Sequence, residues 1–111
     1  MLTQEQLRLF ERDGFVLVEG MFTKKEIDIL LEHTGTAERV VGRVFDMPDT
    51  GGRSSKLSLW NDIGDDVFGA VSASPRIVEN ARAILRDEVY HWHSKVMMKE
   101  PRVGGAWEWH Q

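Results

Sequence analysis

Apolar positions recur along this chain in helical and strand-like rhythms, separated by capping and turn residues. Thr3 is followed three positions later by Gln6, the pattern in which cap side chain and backbone satisfy each other's free N–H groups, and Leu2 and Leu7 have the spacing of a hydrophobic staple. A helix over about 4–12 is predicted, with Asp13-Gly14 as its stop. Phe15-Val16-Leu17-Val18 then reads as a short buried strand ended by Glu19-Gly20. The capping device returns at Thr23 and Glu26, with Phe22 and Ile27 as staple. The stripe Ile27, Leu30, Leu31 predicts a second amphipathic helix over 24–34 that ends near Gly35.

Val40, Val41, Val44 and Phe45 suggest another short strand, and Asp46 to Ser55 carries loop chemistry throughout, a surface loop placed to act as a lid. Lys56-Leu57-Ser58-Leu59-Trp60 alternates polar and apolar like a half-buried strand. Asn61 or Asp62 is positioned to cap a short helix through Val67, Phe68 and Val71. Ser74 at the cap and Pro75 at the first turn open a helix over 75–86 whose core stripe is Ile77, Val78, Ala81, Ile84 and Leu85. Val89 to Lys99 is the longest strand candidate. Its alternation puts Tyr90, Trp92, Ser94, Val96 and Met98 on one face and His91, His93, Lys95, Met97 and Lys99 on the other. After a turn at Pro101 to Gly105 the sequence ends in the aromatic-rich run Ala106 to Gln111. Natural domains seldom finish that way, so the expectation is one domain over 1–111 that is the N-terminal part of something larger.

Composition narrows the function. At 111 residues there is room for one domain, and 41% hydrophobic with 29% charged residues is globular composition. Fourteen Lys and Arg against 18 Asp and Glu leave a net charge of −4, which provides no field to gather a phosphate backbone, so nucleic acid is not an expected partner. Zero cysteines remove disulfides, thiolate metal sites and a cysteine nucleophile, so any metal needs His, Asp or Glu. No apolar run reaches the ~18 residues of a membrane span, and the polar, acidic start does not resemble a signal peptide; the expectation is a cytoplasmic protein without a membrane partner.

On a strand, His91 and His93 leave the same face and could ligate one metal, with His110 joining from a neighbouring strand; the other reading is an ordinary hydrogen-bonded polar pair. Lys95 and Lys99 oppose a metal on that face, yet suit an acid with a carboxylate to bind. Trp92, Trp107 and Trp109 could form an aromatic wall around a substrate, but large aromatics in extended segments are more often core. Gly51-Gly52 lacks the spacing of a phosphate loop, and there is no nucleophile elbow.

Thr3-Gln4-Glu5-Gln6, the run Arg12-Asp13-Gly14-Phe15-Val16-Leu17-Val18-Glu19-Gly20, and the stretch from His93-Ser94-Lys95-Val96-Met97-Met98-Lys99-Glu100-Pro101 to Trp109-His110-Gln111 together resemble the N-terminal part of the phytanoyl-CoA dioxygenase family of Fe(II)/2-oxoglutarate-dependent oxygenases. The resemblance implies an α+β fold: N-terminal helices and the first strands of a double-stranded β-helix, or jelly roll, truncated before its core is complete. It implies Fe(II), 2-oxoglutarate and O₂ acting on a small organic substrate. His110 would be an iron ligand, the first position of a His-x-Asp pair whose Asp would follow Gln111, and Lys56 and, less directly, Lys95 would contact 2-oxoglutarate. The Asp, the distal His and the cosubstrate-clamping Arg are absent from these 111 residues, so the isolated chain is expected to be inactive and to self-associate through its open sheet edge. From other classes, a non-catalytic assembly module and a zinc protein using His91, His93 and His110 remain as alternatives.

Overall fold

Both capping boxes form. In the computed structural model, which describes residues 1–107, Thr3 caps α1 (Gln4–Asp13): its backbone N–H donates to Gln6 Oε1 at 2.9 Å while Gln6 N–H donates to Thr3 Oγ1 at 3.2 Å. Thr23 and Glu26 do the same for α2 (Lys24–Thr34), at 2.7 and 3.3 Å. These bonds satisfy N–H groups that a helix start otherwise leaves free, and Gly14 ends α1 in the left-handed region with φ 78°. A single helical turn, α3 (Glu38–Val41), precedes strands β1 (Phe45–Pro48) and β2 (Ser54–Trp60). Helices α4 (Val67–Ser72) and α5 (Pro75–Leu85) follow, then β3 (Ser94–Met98). Ser74 and Pro75 open α5, and the cap of α4 is Asp66 rather than Asn61 or Asp62.

The strands form an antiparallel sheet in the order β1-β2-β3. Phe45 pairs with Leu57 and Pro48 with Ser54 across the first ladder; Lys56 pairs with Met98 and Trp60 with Ser94 across the second. Helices and sheet together make an α+β arrangement. Val40, Trp60 and Phe68 form the buried cluster, with Leu30, Ala37, Val96 and Met98 packed around it. The Trp60 and Phe68 rings meet edge to face at 5.3 Å. Arg39 closes this cluster, lying 5.7 Å over the Trp60 ring and pairing with Asp62 at 2.6 Å and Asp66 at 2.5 Å. Those two carboxylates hold its charge where it also shields apolar surface.

Four expectations change. Phe15 to Val18 is not a buried strand: Phe15 is 70% and Leu17 77% exposed, and no backbone hydrogen bond ties the segment to another described residue. Its composition favours a strand, but a strand needs a neighbouring ladder. Val40 and Val41 belong to the turn of α3, and β1 begins only at Phe45. The expected loop shrinks to Asp49–Arg53, because residues on both sides pair as a hairpin. The long strand shortens to Ser94–Met98. His91 turns out of the alternation by bonding through Nδ1 to Asn61 O and through Nε2 to Ser94 Oγ, both at 2.9 Å.

Candidate functional site

Side chains on a strand alternate between the two faces of its sheet, and the ladders fix which residues share a face. Lys56, Ser58 and Trp60 stand with Ser94, Val96 and Met98 on the face that α3 and α4 cover: Ser58 Oγ donates to Val40 O at 2.6 Å and Ser94 Oγ meets Ser72 Oγ at 3.1 Å. Ser55, Leu57 and Leu59 stand with Lys95 and Met97 on the other face, called the inner face below. Ser55 and Leu57 are buried there. Lys56 and Lys95, expected to contact one cosubstrate, therefore leave the sheet in opposite directions.

The chain returns over the inner face after β3. Gly105 N–H donates to Ser55 Oγ at 3.1 Å and Ala106 N–H to Asp49 Oδ2 at 2.8 Å. The next residue, Trp107, places its ring 5.0 Å from Lys95 Nζ. A cation over an aromatic face is favoured and held in direction while its donors stay available to an anion. Bonds from Ala106, Arg53 and Gly51 N–H groups hold the Asp49 carboxyl below the usual carboxylate range, against the opposing effect of its partial desolvation.

Lys56 lies instead in a cleft of about 470 Å³ with Asp46, Arg53, Ser54, Met98 and Arg102. His91 and His93 border a separate groove of about 560 Å³ that Ile77, Val78, Ala81, Tyr90 and Trp92 also line. Both ring nitrogens of His91 are engaged, so it offers no lone pair to a metal without giving up a bond. Among the described residues no three His, Asp or Glu side chains gather closely enough to hold a metal ion. His110 and Trp109 lie outside the described residues. No helix among the described residues is long and apolar enough to cross a membrane.

Sequence reasoning passed over Asp49, Ser55 and the pairing of Trp107 with Lys95. The run Asp49-Thr50-Gly51-Gly52 signals a turn whose aspartate bonds forward, but nothing local announces a partner 57 residues away.

Residues 10–111 match the family described as phytanoyl-CoA dioxygenase (PhyH). The ectoine dioxygenases of Bordetella bronchiseptica and Bordetella parapertussis are each 30% identical over 112 residues, covering 98% of this chain and 36% of theirs. That of Stutzerimonas stutzeri is 27% identical over 114 residues, covering 98% and 37%. The chain thus spans a little over a third of the length of these relatives.

Proposed function

The chain belongs to the phytanoyl-CoA dioxygenase family, and from that premise we propose that it is the N-terminal part of an Fe(II)/2-oxoglutarate-dependent dioxygenase that hydroxylates a small organic substrate. The family match over nearly the whole chain carries this reading. The sheet is then the beginning of the jelly roll, with the helix-covered face outside and the inner face toward the reaction chamber. The relatives named ectoine dioxygenase support the dioxygenase reading.

Lys95 is the cosubstrate contact in this reading. It stands on the inner face, where the Trp107 ring lies 5.0 Å from its Nζ. Its ammonium would bind a carboxylate of 2-oxoglutarate through a charge-assisted hydrogen bond. Lys56, first expected to do the same, stands on the outer face and is not carried forward into the site. The described residues do not by themselves make a donor set for iron. His110 would supply one imidazole, and a carboxylate and second imidazole would come from beyond Gln111. The iron, when bound, supplies the activation of O₂; the part of residues 1–107 is to shape and charge the chamber wall.

The test is succinate release from 2-oxoglutarate under added Fe(II). A polypeptide that continues through the expected Asp and distal His turns over, the 111-residue chain does not, and His110→Ala in the longer polypeptide abolishes turnover. Turnover by the short chain, or full activity of the longer His110→Ala variant, would refute the assignment.

A further inference from the structure

Asp49 divides its carboxylate between two tasks. Oδ1 accepts the N–H groups of Gly51 and Arg53 at 2.9 and 2.8 Å, which closes the β1–β2 turn on itself. Oδ2 accepts the N–H of Ala106 at 2.8 Å, which ties a segment 57 residues away to that turn. The same segment is held at the preceding residue, where Gly105 N–H donates to buried Ser55 Oγ at 3.1 Å and to Ser54 O at 3.3 Å. The fit is close. A Cβ on Gly105 would come within 3.1 Å of the Arg53 carbonyl and 3.4 Å of Asp49 Cβ. Residues 105–107 are therefore laid across the hairpin as a strap, with the Trp107 ring at 5.0 Å from Lys95 Nζ.

We propose that Asp49 is the positioning residue for the cosubstrate lysine: Oδ2 fixes the strap, the strap fixes Trp107, and Trp107 directs the Lys95 ammonium over the inner face. This rests on the reading of Lys95 given above. A carboxylate is needed because three N–H groups converge on it and both of its oxygens must accept. Asparagine has one accepting oxygen. Its amide keeps that oxygen on the two turn N–H groups, an orientation that retains two bonds rather than one, and so turns its NH₂ toward the Ala106 N–H, donor against donor. Asp49→Asn thus separates the two tasks: the turn stays, and the strap, still held at Gly105, comes free from Ala106 onward.

The experiment is NMR on the 111-residue chain, reading hydrogen exchange at Ala106, exchange along the β1–β2 ladder, and the upfield displacement that the Trp107 ring imposes on the Lys95 ε-methylene protons. In Asp49→Asn, Ala106 exchanges at least about tenfold faster, the loss expected for one hydrogen bond to a charged acceptor, and the Lys95 displacement disappears. Exchange on the ladder stays within about twofold of wild type, because the Oδ1 bonds remain. Trp107→Leu removes the displacement at Lys95 and leaves Ala106 protected. The proposal is overturned if Ala106 stays protected and Lys95 stays displaced in Asp49→Asn. It is overturned equally if ladder exchange rises in step with Ala106, since Asp49 would then serve the hairpin as a whole. None of these readings involves 2-oxoglutarate, so a failure of Lys95 as the cosubstrate contact is detected separately, by titration of the lysine variants.

Discussion

Replacing each lysine by alanine in the longer polypeptide distinguishes the two faces of the sheet. Lys95 pairs in register with Leu59, and Lys56 with Met98, so the two positions are three residues apart along the ladder as well as on opposite faces. At ~3.3 Å per residue that is ~10 Å along the sheet, with both side chains extending the separation. An ammonium bound directly to a carboxylate contributes about 1.5–3 kcal/mol, so Lys95→Ala weakens 2-oxoglutarate binding roughly 10- to 150-fold. A lysine on the far face acts only through space: at ~12 Å in water the Coulomb term is about 0.3 kcal/mol before salt screening, less than about twofold. The assay is 2-oxoglutarate titration of each variant under anaerobic Fe(II), with the apparent KM for succinate release as the kinetic counterpart. Loss on Lys56→Ala with Lys95→Ala unchanged would refute the assignment of the inner face.

Four further outcomes follow from the fold. Phe68→Ala removes a ring 7% exposed that packs on Trp60 at 5.3 Å; a loss of about 3–5 kcal/mol is expected, a large share of the ~5–15 kcal/mol of a small domain, and urea denaturation with an unchanged midpoint would contradict it. Glu26 has its carboxyl held at about 2, first by Arg76 and then by the Thr23 N–H and hydroxyl. Its folded value lies below its ordinary 4.5, so the stabilisation is complete above that value and is lost as pH falls from about 4.5 toward 2; in Glu26→Gln the melting temperature should decline less steeply across that window, and an identical slope would count against the pair. Backbone amides of Phe15–Val18 should exchange near unprotected rates at low concentration, since nothing described pairs with them. Sedimentation at rising concentration should show self-association through the edge of β1 or β3 that is unpaired among the described residues, and a strictly monomeric chain would refute that pairing.

Capping chemistry is local, which is why Thr3, Thr23 and Ser74 mark their helices correctly from sequence alone: cap and partner lie within three residues. Strands behave otherwise. Phe15 to Val18 has the composition of a strand without a ladder, whereas Phe45 to Pro48 has turn-like neighbours and still pairs, because register with Ser54–Leu57 supplies its partner. For the site, alternation within a strand identifies Lys95 and Met97 as companions, but it does not say which face a helix will cover. That was settled by Ser58 reaching Val40 and by Trp60 packing on Phe68. Lys56 and Lys95 are expected at one cosubstrate by family resemblance, which carries no information on the face of the sheet that each side chain takes. His91 left its expected face through bonds to Asn61 and Ser94, contacts that period-two alternation does not contain. Asp49 is visible in sequence as a turn residue, while its bond to Ala106 exists only once the hairpin and the strap are brought together.

In the proposed reading these residues belong to a dioxygenase that divides O₂ between 2-oxoglutarate and a small substrate. Isotope labelling tests it most directly: the longer polypeptide is supplied with Fe(II), 2-oxoglutarate, a substrate that supports turnover and ¹⁸O₂, and the products are weighed by mass spectrometry. Loss of CO₂ from 2-oxoglutarate and gain of one oxygen atom give succinate, so succinate should carry one ¹⁸O, with the second atom in the hydroxylated product. Succinate free of ¹⁸O, or product formed at full rate without 2-oxoglutarate, would contradict it.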